Sequence, residues 1–215
     1  MADRIIKVLT PATNWDFLTL DEAKTMLGLT TTFTPEEDAQ MQFWITNISM
    51  AIGVHCNNRP FAYEEMRETW RSDLTLSSNR IFLSHWPVKE SDVEIVEVPR
   101  GTVVDPSNYE VEEGSGKIEL LSGVTEPIQV TYSGGYKLPD DAPGPLKHAA
   151  AVLVRNERIR SMQAQTAGIR SISHRDARVM FFDPNTIIAK TMGVAGQGMD
   201  STVAALLTHY TRLEC

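Results

Sequence analysis

Residues 128–157 read IQVTYSGGYKLPDDAPGPLKHAAAVLVRNE, and within this stretch a strand gives way to a helix. Ile128, Val130 and Tyr132 alternate with Gln129 and Thr131, the period of a strand with one buried face. Ser133, Gly134 and Gly135 are expected to break that strand, because paired glycines accept the positive φ that other residues avoid. Lys137 to Pro145 is polar and proline-bearing, and proline cannot donate to a central ladder. Leu146, Ala149, Ala150 and Leu153 then fall at i, i+3, i+4 and i+7, one face of a helix. The stretch is therefore the predicted junction between a β-rich middle and a helical body.

Towards the amino terminus, residues 1–17 have no clean period and are expected as an arm. Thr19-Leu-Asp-Glu22 is a capping box, with the helix running to Leu27 and Gly28 as its stop. Thr34-Pro-Glu-Glu37 repeats the box, with proline where a missing N–H costs nothing and acidic residues at the positive end of the helix dipole. From there Met41, Trp44, Ile45, Ile48, Ile52 and His55 trace one stripe, ended by Asn57-Asn-Arg-Pro60. Residues 64–132 read as strands. Thr69, Arg71 and Asp73 alternate with Trp70 and Leu74; Ile81 to Leu83 is a short apolar run. Asp92 to Val98 changes phase, which predicts a bulge. Tyr109–Val111 and Lys117–Leu121 flank Glu112-Glu-Gly-Ser-Gly116 as a hairpin.

Beyond the junction, the helix is expected to end near Met162, with Arg155, Arg158 and Arg160 on its last turns, where positive charge suits the helix dipole. Residues 163–175 read as a loop or arm. Asp183-Pro184 is placed to cap a short helix over 185–192, and Gly193 to Gly198 reads as a flexible hinge. Val203, Leu206, Leu207 and Tyr210 line one face of a terminal helix or hook. Together these features predict an α+β fold, a small helical bundle carrying an inserted β-strand-rich subdomain and an extended C-terminal arm. The boundaries are an arm at 1–17, a helical body at 18–62 and 143–162, a β-rich insertion at 63–142, and the C-terminal arm at 163–215.

Composition limits function. The chain of 215 residues has two cysteines and a net charge of -8. Two thiols make a disulfide framework improbable and fit a reducing compartment, and Cys56 reads as a small buried residue. No apolar run is long enough to span a membrane, and the opening residues carry no signal-peptide core. Residues 61–142 carry a net -9 and residues 143–215 a net +4. These are either two solvated faces or complementary patches on neighbouring copies. The acidic total disfavours tight nonspecific DNA binding. The five histidines are scattered, and none has metal-ligand spacing with an acidic partner. His55 reads as a packed histidine. Gly114-Ser-Gly116 precedes a strand rather than a helix and reads as a turn, not a phosphate cradle. No nucleophile elbow, Walker motif or dinucleotide fingerprint occurs. No catalytic residue, cofactor or metal ligand is therefore assigned.

The order of certain motifs resembles one known family. A strand ending Val130-Thr-Tyr-Ser-Gly-Gly-Tyr136, a short acidic and proline-bearing linker, and Pro143-Gly-Pro-Leu-Lys-His-Ala149 opening an alanine-rich helix resemble the head–tail connector (adaptor, or head-completion) proteins of tailed bacteriophages. Leu18-Thr-Leu-Asp-Glu-Ala-Lys-Thr-Met-Leu27, Pro35-Glu-Glu-Asp38 and Ile81-Phe-Leu-Ser-His-Trp-Pro-Val88 are similar to its earlier landmarks. The likeness runs from Leu18 to Arg160, with a further echo at Ala205-Leu-Leu-x-x-Tyr-x-Arg212. It implies a structural virion protein of the neck, made in the host cytoplasm. Such a protein forms a ring, expected as a dodecamer, beneath the portal protein and extends the channel through which double-stranded DNA passes. It also meets the next neck, stopper or tail protein. By the same resemblance Leu206, Leu207, Tyr210 and Arg212 are expected to grip the portal, against the alternative that this segment docks on its own body. Arg155, Arg158 and Arg160 are expected at the contact between subunits, with the acidic side within 90–126. The competing class is a small enzyme or accessory binding domain with a site in the β-rich part.

Overall fold

A computed structural model of the chain describes residues 4–29, 32–70, 79–98, 100–121, 127–165, 171–174, 177–180 and 201–211. Two compact units divide it. One comprises Met1–Trp15 and Asn58–Ala142, the other Asp16–Asn57 and Pro143–Cys215.

The helical unit begins at its threonine caps. Thr19 Oγ1 accepts from the Glu22 N–H at 3.1 Å while Glu22 Oε2 accepts from the Thr19 N–H at 2.9 Å, starting α1 over Leu20–Met26. Gly28, at φ 65°, follows its end. Thr34 and Glu37 make the same reciprocal pair before α2, Pro35–His55. Asn57 and Asn58, at φ 62° and 54°, turn the chain after α2. Met41, Ile45, Ile48 and Ile52 of α2 are buried, and Ser49 joins them to accept from the Phe17 N–H. Cys56 is buried as expected. The third helix, α3, spans Gly144–Gln165, three residues past its expected end. Leu146, Ala149, Ala150 and Val154 are its buried residues at helical spacing, with Leu153 only half-buried. α1, α2 and α3 pack on one another, and Lys147 pairs with Glu22. Helices in proteins draw most of their stability from packing an apolar face, and these three hold one another by theirs.

Residues 163–175 were expected as a loop or arm. Instead α3 continues to Gln165, and strands β9 (Ser171–His174) and β10 (Ala177–Met180) pair antiparallel. Helix α4 covers Ser201–Leu207 and packs on α3. The helix predicted at 185–192 and the hinge at 193–198 lie outside the described residues.

The β unit holds eight strands among the described residues. β1 is Arg4–Thr10, β2 Glu64–Trp70, β3 Arg80–Phe82 and β4 Glu94–Glu97. β5 is Thr102–Val103, β6 Tyr109–Glu112, β7 Lys117–Leu120 and β8 Ile128–Gly134. One antiparallel sheet has the order β1-β2-β8-β4-β5 and a second β3-β7-β6. Residues 1–17 were expected as an arm without clean period; Arg4–Thr10 of it forms β1, which pairs along β2 as an edge strand. Residues 58–62, expected with the helices, belong to the β unit. The predicted bulge at 92–98 is absent from the ladder, because β4 keeps continuous register with β8 from Glu94 to Glu97. Val93 and Ile95 are buried and Val96 is half-buried, and a 3₁₀ turn at Glu90–Asp92 lies just before β4. The sheet's irregular step is in β1, between Val8 and Thr10. The alternation foreseen through Arg71, Asp73 and Leu74 lies outside the described residues.

Inward residues from both sheets share one core, with Met66, Trp70, Ile95, Val130 and Tyr132 from the larger sheet and Ile81, Ile118 and Leu120 from the smaller. The predicted hairpin is present, with Glu112 paired to Lys117.

Substituting Ile48→Asp places an unpaired charge in the helical core and is expected to lower the melting midpoint by roughly 10 °C or more. Gln40→Asp, at an exposed position of the same helix, is expected to leave it within about 3 °C. Thermal circular dichroism of the two variants checks the contrast.

Candidate functional site

Of the residues predicted to meet partners, Arg155, Arg158 and Arg160 lie on α3, Leu206 and Leu207 on α4, and Tyr210 in the 3₁₀ turn after it. Arg155 is exposed, and no partner for it occurs among the described residues. Arg158 is half-buried, its guanidinium 5.5 Å from the centre of the Phe33 ring. Arg160 is exposed and pairs with Glu157 at 2.6 Å, one helical turn away, a contact of small worth in water. The three arginines are therefore not equivalent, and among the described residues only Arg155 of the three has no partner.

On α4, Val203 and Leu207 are fully buried within their own subunit, and the helix rests on α3. Leu206 and Tyr210 are half-buried, and a 3₁₀ turn over Thr208–Tyr210 extends the helix. Arg212 lies outside the described residues. Leu207, expected to anchor in a partner, is thus enclosed by its own chain, leaving Leu206 and Tyr210 partly accessible.

A second surface was missed in the sequence. The side of α2 facing away from its core exposes Phe43, Met50 and Val54 at 65%, 54% and 65%. Its signal was present in the absence of any charged residue from Ala39 to Val54.

Several carboxylates of the acidic region at 90–126 are engaged with their own unit. Asp105 Oδ1 accepts from the Ser107 N–H and hydroxyl at 2.9 and 2.7 Å, holding the carboxyl below its ordinary range. Glu112 accepts from the Ser115 hydroxyl at 2.7 Å. Glu119 lies 3.3 Å from Arg80 and 3.5 Å from Lys117, and the Arg80 hydrogen bond foremost keeps it ionised to lower pH.

Titratable groups also meet inside the β unit. Two inward positions of β2 are glutamates. Glu64 Oε1 accepts from the Ala12 N–H at 2.9 Å, and its Oε2 lies 3.0 Å from His85 Nε2. Glu68 Oε1 accepts from the Ser84 N–H at 2.9 Å, from the Ser84 hydroxyl at 2.6 Å and from the Tyr132 hydroxyl. Its Oε2 lies 3.7 Å from Arg4 Nη1. Burial pushes the Tyr132 phenol strongly upward, and the Glu68 carboxylate adds to it, so the hydroxyl remains a donor. Burial lowers the His85 pKa, against the opposing pull of Glu64 and Glu68. His85 Nδ1 has no hydrogen-bond partner among the described residues, which suits a neutral ring donating from Nε2. Glu64, Glu68 and His85 are all buried. A catalytic pair must reach its substrate, whereas these groups fasten Ala12, the Ser84–His85 turn and β8 to β2. Among the described residues no group of three or more His, Cys, Asp or Glu is placed to hold a metal, and no helix is long and apolar enough to cross a membrane.

The sequence matches no protein-family model and no curated protein. Solved structures share the fold. A chain from the neck of an empty gene transfer agent (GTA) particle, computed with C6 symmetry, is 17% identical with a TM-score of 0.56. A chain from the virion of the native GTA particle is 16% identical with a TM-score of 0.57. A third, from the native GTA neck computed with C12 symmetry, is 14% identical with a TM-score of 0.55. Each match covers 98% of this chain and 97% of the other.

His85 is held neutral in the folded protein and gains a proton more easily when unfolded. Its folded pKa lies below the ordinary 6.5, so the unfolded state binds more protons and stability falls as pH drops below about 6.5. Replacing His85→Gln is expected to flatten that part of the curve. Urea unfolding from pH 7.5 to 5 in both proteins measures it.

Proposed function

We propose that this chain is a structural neck protein of a tailed-phage-like particle, a head–tail adaptor rather than an enzyme. Copies form a ring beneath the portal, a dodecamer in this reading. The ring lets double-stranded DNA pass without reading its sequence and offers its far side to the next neck, stopper or tail protein. The protein is made in the host cytoplasm and resides in the virion neck. The observation that carries the reading is likeness of fold over 98% of the chain to GTA particle chains, two of them described as neck. The ordered motifs from Leu18 to Arg160 support it independently, as does the acidic total, since tight DNA binding draws on basic surface.

Contact with the portal is assigned to the terminal segment. Leu206 and Tyr210 form the accessible part of the grip, with Arg212 next in the sequence motif, while buried Val203 and Leu207 hold α4 to its own body. Arg155, Arg158 and Arg160 lie at the contact between subunits, Arg155 being the one of them without a partner among the described residues.

Co-expression with the portal protein of the same particle, followed by affinity capture and electron microscopy, tests this. The wild type is expected to co-purify as a ring stacked on the portal. The double variant Leu206→Ala/Tyr210→Ala is expected to bind at least ~30-fold more weakly, with its melting midpoint within about 4 °C of wild type. Undiminished binding by the variant removes α4 from the grip. A wild type that never captures the portal overturns the adaptor reading.

A further inference from the structure

Scattered exposed apolar side chains are ordinary, but those of α2 are not scattered. Phe43, Met50 and Val54 recur at helical spacing on a line about half a turn from the buried line of Met41, Ile45, Ile48 and Ile52. A helix with water on one side normally carries charge there, yet none occurs from Ala39 to Val54. α2 therefore has two apolar faces, and only one is covered. α3 has a comparable outer line of Arg155, Ile159 and Met162, all exposed. It too lies about half a turn from the buried line of Leu146, Ala150 and Val154. α2 and α3 pack on each other, and each carries its uncovered line about half a turn from its buried one.

We infer that the outer face of α2 is the seat for a second copy of this chain, specifically for the outer face of its α3. The inference rests on the ring reading and names the surfaces that build the ring. A cyclic assembly needs two different patches that fit each other head to tail, and these two faces supply them. Contact between two α2 faces would be isologous and would close as a dimer, leaving the α3 stripe uncovered. Charge favours the same pairing. Glu36 and Glu37 are exposed in the first turn of α2, about two turns before Phe43. Arg155 lies about one turn before Ile159. Parallel placement of the stripes, with Ile159 against Phe43, brings the Arg155 guanidinium towards those carboxylates. Phe43 is the aromatic anchor, of the type that concentrates binding energy at interfaces.

The test uses two double variants of the full chain. Phe43→Glu/Met50→Glu spoils the α2 face, and Ile159→Glu/Met162→Glu spoils the α3 face. Sizing with native mass spectrometry is expected to give wild-type rings, with each variant alone at least ~30-fold weaker in self-association. Mixed together, the variants retain one intact face of each kind and are expected to form a one-to-one dimer that grows no further. Recovery on mixing also establishes that both variants fold. Rings formed by either variant alone overturn the seam and leave the ring reading standing. Failure of the mixture to dimerise, with wild-type rings intact, likewise overturns the α2–α3 pairing. A wild type that stays monomeric at all concentrations, with or without portal, overturns the ring reading and the seam together.

Discussion

No side chain fits at Gly135. A Cβ there would stand 2.3 Å from the Ala62 carbonyl oxygen, and the residue adopts φ 102°. At Gly134 a Cβ would lie 2.8 Å from the His85 carbonyl oxygen. These two absences let three stretches of backbone meet at the end of β8. The Gly135 N–H donates to the Pro87 carbonyl and the Tyr136 N–H to the Phe61 carbonyl, while the Tyr63 N–H donates to the Tyr136 carbonyl. The entry to β2, the turn through Ser84 and His85, and the exit from β8 are thereby fixed together. Glu64 and Glu68 then reach their partners from β2 without adjustment. Their carboxylates are tolerable in the interior because each collects donors, whereas an unpaired buried carboxylate would be strongly destabilising.

Unlike the β unit, where the carboxylates and core residues bind strand to strand, the helical unit depends on apolar faces. α2 divides its 21 residues between a covered and an uncovered apolar line. Its formal charge is confined to the first turn. Glu36, Glu37 and Asp38 crowd the first turn, with Asp38 paired to Lys24 at 2.6 Å.

The helix starts were legible because a capping box is a local code. Four residues specify both hydrogen bonds, and Thr19 and Thr34 make them as read. Strand β8 was legible from its alternation, since both its inward residues and their neighbours obey period two. Less legible was the reason for its glycines. Only Gly135 uses positive φ; Gly134 belongs to the strand and is small to admit a carbonyl that sequence spacing cannot locate. β2 was obscured because Glu64 and Glu68 point inward, and a glutamate at an inward position reads as a solvent-facing one until its partners are known. β1 shows exposed residues at nearly every position, so no alternation marks it. On α2 the buried stripe was read correctly in part, but the uncovered stripe blended with it into general apolarity. Periodicity distinguishes one face from water, not one apolar face from another.

Charge sets the terms on which copies of this protein can meet. At net -8 each copy repels the next, and a ring brings many together. Debye screening over about 8 Å at physiological salt shortens the range of that repulsion but supplies no attraction. The carboxylates at Asp105, Glu112 and Glu119 are already engaged within the β unit, and Arg160 with Glu157. Exposed pairs are in any case worth little individually. In the proposed ring, contacts that act at short range and ignore the sign of the total would supply attraction between subunits, which is what burying an apolar surface does. A charge-free helix face fits that requirement where the arginines alone do not. The same acidic excess suits passage of DNA, because a surface that does not collect phosphates does not hold the duplex in place. In the proposed ring, one composition thus serves both ends: negative charge keeps the cargo moving, and apolar seams hold the copies together against it.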